Sequence, residues 1–162
     1  MKKIYLFLIA IIVISFTACQ EEYVVGETAT VKLAGEWWFA LLDENGDVVY
    51  DYDFLASRMS TYNTADNSAN EIWVDDHENG WWVKARVVAD PVSMTFGSQD
   101  SVFNEYEGAN MIVSDGQIWE GVATSKDGNI TDSIRFTTVY PDGTIFIYAG
   151  HRHTGFEEDE YH

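Results

Sequence analysis

His151 and His153 flank Arg152 in the run Gly150-His151-Arg152-His153-Thr154. In an extended strand the two imidazoles point to one side and the guanidinium to the other. Asp75-Asp76-His77 ends another β-rich run. If the two ends converge, two or three imidazoles and a carboxylate supply ligands for zinc, or an acid and a base for hydrolysis. No HExxH is present, and the mixed spacing specifies no metal. The plainer alternative is a polar rim in which Arg152 pairs with Asp75 or Asp76. A serine nucleophile needs a base and usually a strained elbow of the GxSxG type, which the sequence lacks. Ser60, Ser93 and Ser133 fall mid-strand, where a hydroxyl faces solvent or a backbone partner. Asp43-Glu44-Asn45-Gly46-Asp47 offers oxygens to calcium, without the twelve-residue loop and closing Glu of a dedicated site. Glu157-Glu158-Asp159-Glu160 reads as a solvated end. No cofactor or resident metal is implied, and the reading leans away from an enzyme.

The indoles are the stronger chemical clue. Trp37, Trp38, Trp73, Trp81, Trp82 and Trp119 all fall in predicted strands. Each doublet, Trp37-Trp38 and Trp81-Trp82, puts one indole on each face. One face forms core, and the other meets solvent, a partner or a lumen. Apolar cavities with a few polar groups are the usual small-molecule sites. Trp37, Trp73, Trp81 and Trp119 would line such a cavity, with Gln117, Glu120, Arg135 and Tyr148 as its polar groups. Indole faces also stack on sugar rings, so a carbohydrate surface is a rival. The remaining possibility is a small barrel that fills with its own aromatic side chains.

The elements that must position these groups are strands. Asn-Gly and Asp-Gly supply the positive φ of tight hairpins, and turn signals of this kind occur at residues 44–47, 78–80, 114–116, 126–129 and 141–143. The runs between them predict strands at 35–42, 47–52, 58–64, 70–75, 80–89, 92–96, 110–113, 117–125, 131–140 and 144–151. Trp81, Val83, Ala85 and Val87 alternate with Trp82, Lys84 and Arg86 at the period of a half-buried strand. Only 52–59 and 100–107 have room for a short helix. About ten strands joined by short turns fit an all-β, antiparallel up-and-down barrel of about eight to ten strands. An eight-stranded barrel has room for one small ligand.

Composition bounds the function. The chain has 162 residues and a net charge of −18, which excludes a phosphate-backbone binder and hence nucleic acid as partner. One cysteine excludes a disulfide framework and any multi-cysteine zinc site. Aromatic residues make up 15% of the chain, too many for a disordered acidic tail.

The N-terminus reads as an address. Lys2-Lys3 precedes an apolar run over residues 4–16, too short to span a bilayer, which takes about 20 residues, and suited to a signal peptide. Phe16-Thr17-Ala18-Cys19 resembles a bacterial lipobox, with Phe in place of the usual Leu. Cys19 would then be the lipidated N-terminus, and Gln20-Glu21-Glu22 resembles a surface-export signal of Gram-negative outer-membrane lipoproteins. The expected organisation is a signal peptide over 1–18, a lipidated acidic tether over 19–30 and one barrel domain over 31–162.

Four further motifs line up in order. They are Leu33-Ala34-Gly35-Glu36-Trp37-Trp38, Thr61-Tyr62-Asn63-Thr64, Asn70-Glu71-Ile72-Trp73-Val74-Asp75-Asp76 and the closing Gly150-His151-Arg152-His153-Thr154-Gly155-Phe156-Glu157-Glu158-Asp159. With the lipobox, they resemble the secreted lipoproteins named lipid-binding putative hydrolase. The resemblance implies a calycin-like, lipocalin-like barrel on an outer-membrane lipoprotein near polymer-uptake machinery; it supplies no catalytic residue set. The leading expectation is a lipid-anchored, surface-exposed protein that holds a small apolar or amphipathic ligand in its barrel and touches the membrane only through its anchor. The alternatives are an accessory subunit of an uptake complex and a hydrolase built from His151, His153, Asp75, Asp76 and His77.

Overall fold

Tight turns fold the chain back on itself strand by strand. In the first, the Asp43 carboxylate accepts the backbone N–H groups of Asn45 and Asp47, both at 2.9 Å, while Gly46 takes φ +85°. The computed structural model describes residues 27–55 and 57–162. The signal segment, Cys19 and the tether as far as residue 26 lie outside the described residues.

The strands are β1 (Gly35–Leu42), β2 (Val48–Tyr50), β3 (Arg58–Asn63), β4 (Glu71–Asp75), β5 (Lys84–Asp90), β6 (Thr95–Phe96), β7 (Ser101–Asn104), β8 (Ala109–Thr124), β9 (Ile130–Val139) and β10 (Ile145–Arg152). One helical turn, α1 (Tyr52–Leu55), follows β2, within one of the two segments where the sequence leaves room for it. Strand neighbours run β1-β3-β4-β5, then β6 and β7 sharing one position, then β8-β9-β10. β10 pairs with β1 from Trp37↔Arg152 to Leu42↔Ile147 and closes the sheet. The result is an eight-stranded antiparallel barrel with β2 appended to β1.

Three local expectations change. Ser114-Asp115-Gly116 makes a bulge inside one long β8 rather than a hairpin. Asp115 takes φ +56° there, and an extra residue with positive φ in a paired strand kinks it without ending it. Residues 101–104 form β7 instead of a helix, because β5 and β8 both need a hydrogen-bonding neighbour at that position. The strand expected from residue 80 begins only at Lys84. Trp82 adopts φ +59°, so the second Trp doublet sits in a turn and not across a sheet.

Residues alternate in and out along each strand. Val83, Ala85 and Val87 are all buried, as the sequence pattern requires. Aromatic rings fill the axis. Phe96 packs on Phe136 at 5.7 Å, Phe136 stacks on Tyr148 at 4.7 Å, and Tyr148 stacks on Phe39 at 5.5 Å.

The end away from the β4–β5 turn is sealed. The 3-10 turn Val31–Leu33 lays Leu33 across it. Trp37 Nε1 donates to Thr61 Oγ1 (2.9 Å), and Thr61 donates to the Leu33 carbonyl. The Arg152 guanidinium lies 4.4 Å from the Trp37 ring centre and donates to Ala34 O (2.9 Å) and Asp132 (2.8 Å). Arg152 therefore points inward, away from Asp75 and Asp76.

The β1–β10 seam has no room for a side chain at Gly150, whose Cβ would overlap the Trp38 carbonyl oxygen. Gly150→Ala is expected to lose about 1–3 kcal/mol, the range for overpacking a dense interior. Urea unfolding monitored by tryptophan fluorescence checks this.

Candidate functional site

The open end of the barrel is built by the turns after β4, β7 and β9. The β4–β5 turn, residues 76–83, reaches across it. Two tyrosines clip the backbone of Trp81 in place: Trp81 N–H donates to Tyr148 Oη (3.0 Å), and Tyr140 Oη–H donates to the Trp81 carbonyl (2.6 Å). The Trp81 ring packs on Phe146 at 4.8 Å. Trp81 and Trp82 nevertheless remain 42% and 49% exposed. With Gly80 and Glu107 they line a recess of about 310 Å³.

Beneath the turn lies Asp76, fully buried. Its carboxylate accepts from Tyr148 Oη (3.0 Å) and from the Glu78 N–H (3.0 Å). Burial pushes its pKa up to about 6, against the lowering effect of these donors. Burial likewise pushes the Tyr148 hydroxyl well above its usual range, with Asp76 adding to the effect, so it remains a donor. Gly80 is required here, since a Cβ would meet both the Asp76 carboxylate and Tyr148 Oη.

A second hollow, about 420 Å³, lies on the outer wall over β1, β3 and the turn after β4. Ser60, His77, Arg58, Asn79, Trp38 and Tyr161 are among its lining residues. Ser60 and Asp75 are cross-strand partners on β3 and β4, hence on one face. His77 Nε2 is 2.8 Å from Ser60 Oγ, and His77 Nδ1 is 3.5 Å from Asp75 Oδ1. Asp75 is almost completely covered. It accepts from Tyr106 Oη (2.7 Å), Tyr62 Oη (2.9 Å) and the His77 N–H (2.9 Å), and it pairs with Lys84 Nζ at 3.1 Å. Burial acts to raise the Asp75 pKa, but these partners outweigh it and hold the carboxyl below its usual range.

The far wall of this hollow is the C-terminal tail, which docks rather than fraying into solvent. Asp159 is buried and accepts from Asp127 N–H (2.8 Å), Asn129 Nδ2 (3.0 Å) and Thr154 Oγ1 (2.6 Å). These bonds fix Tyr161 against Trp38 and Tyr52, with ring centres 5.0 and 5.4 Å away.

The residues singled out from sequence separate into three places. Tyr148 and Asp76 lie under the mouth turn, and Trp81 lies in it. Asp75 and His77 meet Ser60 on the outer wall. His153 sits at the edge of that hollow, where it contacts Arg58 (3.1 Å) and Glu160. His151 is apart, buried between Tyr52 and Tyr161, and burial lowers its pKa. Trp37 is enclosed at the sealed end. Trp73 and Arg135 face outward on β4 and β9, each flanked by buried residues, and Trp119 on β8 follows buried Ile118 and is itself exposed. Among the described residues no three His, Cys, Asp or Glu side chains come together as a metal site. Sequence reasoning left Trp82 out of the cavity lining, and it missed Glu107 and Tyr140 at the mouth and the facing of Ser60 on the wall. The aromatic doublet directly after Asn79-Gly80 was the available signal for the first, and the β3–β4 register for the second.

A closed antiparallel barrel of eight strands, with one sealed end and one aromatic mouth, is a calycin-like architecture suited to small apolar ligands. Residues 22–157 match the model of the family described as lipid-binding putative hydrolase, and the chain belongs to that family. No curated protein matches the chain.

The Asp76 carboxyl sets a pH dependence. Its folded-state pKa is raised, so its contribution to stability is full below about pH 4, the unfolded value, and declines as pH rises through about 6. Ionising it costs about 3 kcal/mol by linkage. The difference in unfolding free energy between wild type and Asp76→Asn is expected to shift in favour of the variant between pH 4 and pH 7. Urea titrations across that range test this, and parallel curves would remove the buried acid from the account.

Proposed function

We propose that this protein binds a lipid-like ligand at the mouth of its barrel, with one apolar chain laid against Trp81 and Trp82. The carrying observation is the recess between these half-exposed indoles above a lumen already filled by Phe39, Phe96, Phe136 and Tyr148. The ligand's seat is therefore at the mouth and not along the axis. Covering the indoles removes apolar surface from water at about 25 cal/mol per Å², and Glu107 gives the recess one charged group to orient a polar head. Membership of a lipid-binding family supports the same reading.

The finer parts of the proposal follow the N-terminal sequence. Cys19 carries the acyl chains that hold the protein at the outer membrane. The acidic pair Glu21-Glu22 directs it to the cell surface. The acidic body, with 27 Asp and Glu in the chain, is repelled by anionic headgroups, so the anchor alone makes the membrane contact.

A second reading, an accessory subunit of an uptake complex with no ligand of its own, is favoured by the filled axis together with Trp119, Val122 and Ile130 exposed on the β8–β9 hairpin. Native mass spectrometry after incubation with a membrane lipid extract separates the two. A discrete, displaceable adduct is expected on the wild type. Trp81→Ala is expected to weaken its binding about tenfold, the equivalent of about 1.4 kcal/mol. A bare mass at every lipid concentration would leave the accessory reading in possession.

A further inference from the structure

We propose that Ser60, His77 and Asp75 form a hydrolytic centre for short-chain carboxylic esters on the outer wall of the barrel, separate from the mouth recess. The three side chains stand in the order nucleophile, base and positioning carboxylate. Ser60 Oγ is 2.8 Å from His77 Nε2, within proton-transfer reach. On the other side of the ring, Nδ1 faces Asp75 Oδ1 at 3.5 Å, so a proton on Nδ1 would point at the carboxylate and leave Nε2 free to accept from Ser60.

The backbone brings them together by two means. The β3–β4 register places Ser60 directly opposite Asp75. His77 and Glu78 then adopt φ +56° and +61°, which turns the chain back so that the imidazole overhangs β3. The base and the carboxylate are treated differently by their surroundings. The Asp75 side chain is 3% exposed and His77 45%. A fixed, buried carboxylate next to an accessible imidazole is what a general base needs. Two tyrosine hydroxyls, Lys84 and a backbone N–H hold Asp75, so it is a positioning residue and Ser60 and His77 are the catalytic ones.

The hollow around them supplies the other requirements of acyl transfer. Arg58 lies two residues before Ser60 on the same strand face, and Asn79 lines the same space. Arg58 Nη1 is held by Glu36 at 3.0 Å, and Asn79 Nδ2 donates to Arg58 O at 3.2 Å; their remaining N–H groups are the donors that would stabilise charge on a carbonyl oxygen. Trp38 and Tyr161 give an aromatic wall for the acyl or alcohol group. The volume of about 420 Å³ and the open outer face suit a short acyl group better than a long one.

In the reaction, Ser60 Oγ forms a bond to the ester carbonyl carbon while His77 Nε2 takes the hydroxyl proton. The tetrahedral oxyanion collapses, the C–O bond to the alcohol breaks, and His77 returns the proton to the leaving alkoxide. Water then attacks the acyl-serine and gives a proton to His77, which passes it to Ser60 as the carboxylic acid leaves. Nothing is oxidised or reduced.

The test uses the mature protein with p-nitrophenyl acetate and p-nitrophenyl butyrate as substrates and an alkyl fluorophosphonate as probe. The expected results are turnover above buffer, one phosphonyl adduct mapped to Ser60 by peptide mass spectrometry, and loss of both in Ser60→Ala. His77→Ala is expected to lose at least 100-fold in kcat/KM and to regain part of it with added imidazole, which a merely structural histidine would not do. Far-ultraviolet circular dichroism and the lipid adduct at the mouth report whether the variants fold. Wild-type turnover no greater than buffer with no label on Ser60 overturns the proposal, and so does turnover that survives Ser60→Ala. Neither result bears on lipid binding at the mouth, which the native mass spectrum reads independently.

Discussion

The barrel depends on the stack of Arg152 over Trp37 at its sealed end. A closed sheet must bring its last strand to its first, and the register Trp37↔Arg152 is where that closure begins. The guanidinium faces the indole at 4.4 Å and reaches Ala34 O and Asp132. The Arg152 side chain keeps part of its surface in solvent, and a cation on an indole face at such a site contributes about 1 kcal/mol. The indole N–H is satisfied in turn by Thr61 on β3, and Thr61 by Leu33 in the entering turn. One cation thus ties β10, β9 and the segment before β1 together, and Trp37 extends the tie to β3. Register across the seam is then fixed, and with it the facing of every side chain, since a slip of one residue would exchange inside for outside.

The two ends of the barrel solve opposite problems. At the sealed end every polar group named above has a partner, and the indole is enclosed. At the mouth the tyrosines hold the Trp81 backbone but leave both indole rings half exposed. The hydroxyls of Tyr140 and Tyr148 serve the turn rather than a ligand. Their cost is the buried Asp76 carboxyl, whose raised pKa marks a group kept for its geometry. An axis packed with four aromatic rings gives the mouth a filled floor, so the recess at Trp81 and Trp82 is shallow and does not continue into a tunnel.

The outer wall obtains its hollow from the chain's last residues. The tail would leave Trp38 uncovered if Asp159 did not hold the β8–β9 turn. Instead Tyr161 lies on Trp38, and the tail, β3 and the His77 turn enclose a polar cleft next to an aromatic wall. The same β3–β4 alternation that buries Met59 and Val74 turns Ser60 and Asp75 outward.

The sequence by itself determined the all-β class, because period-two runs between Asn-Gly and Asp-Gly turns leave a helix little room. It bounded β1 and β3 closely, since Gly35 and Asp43 frame one and the Arg58 to Asn63 alternation defines the other. It also placed His151 and Arg152 on opposite faces, a matter of local geometry alone. Other outcomes needed the fold. Asp-Gly at 115–116 supplies positive φ equally well to a hairpin or a bulge, and only the pairing of β8 with β9 chose the bulge. Glu157–Glu160 has a solvated composition, and only the N–H groups of a distant turn made Asp159 a buried acceptor. The contact between Ser60 and His77 was not legible, because His77 comes from the turn after β4 and has no fixed spacing from Ser60 in sequence. Local rules reach as far as the residues that neighbour one another along the chain. Which strand lies beside which, and so which side chains share a hollow, was decided by closing the barrel.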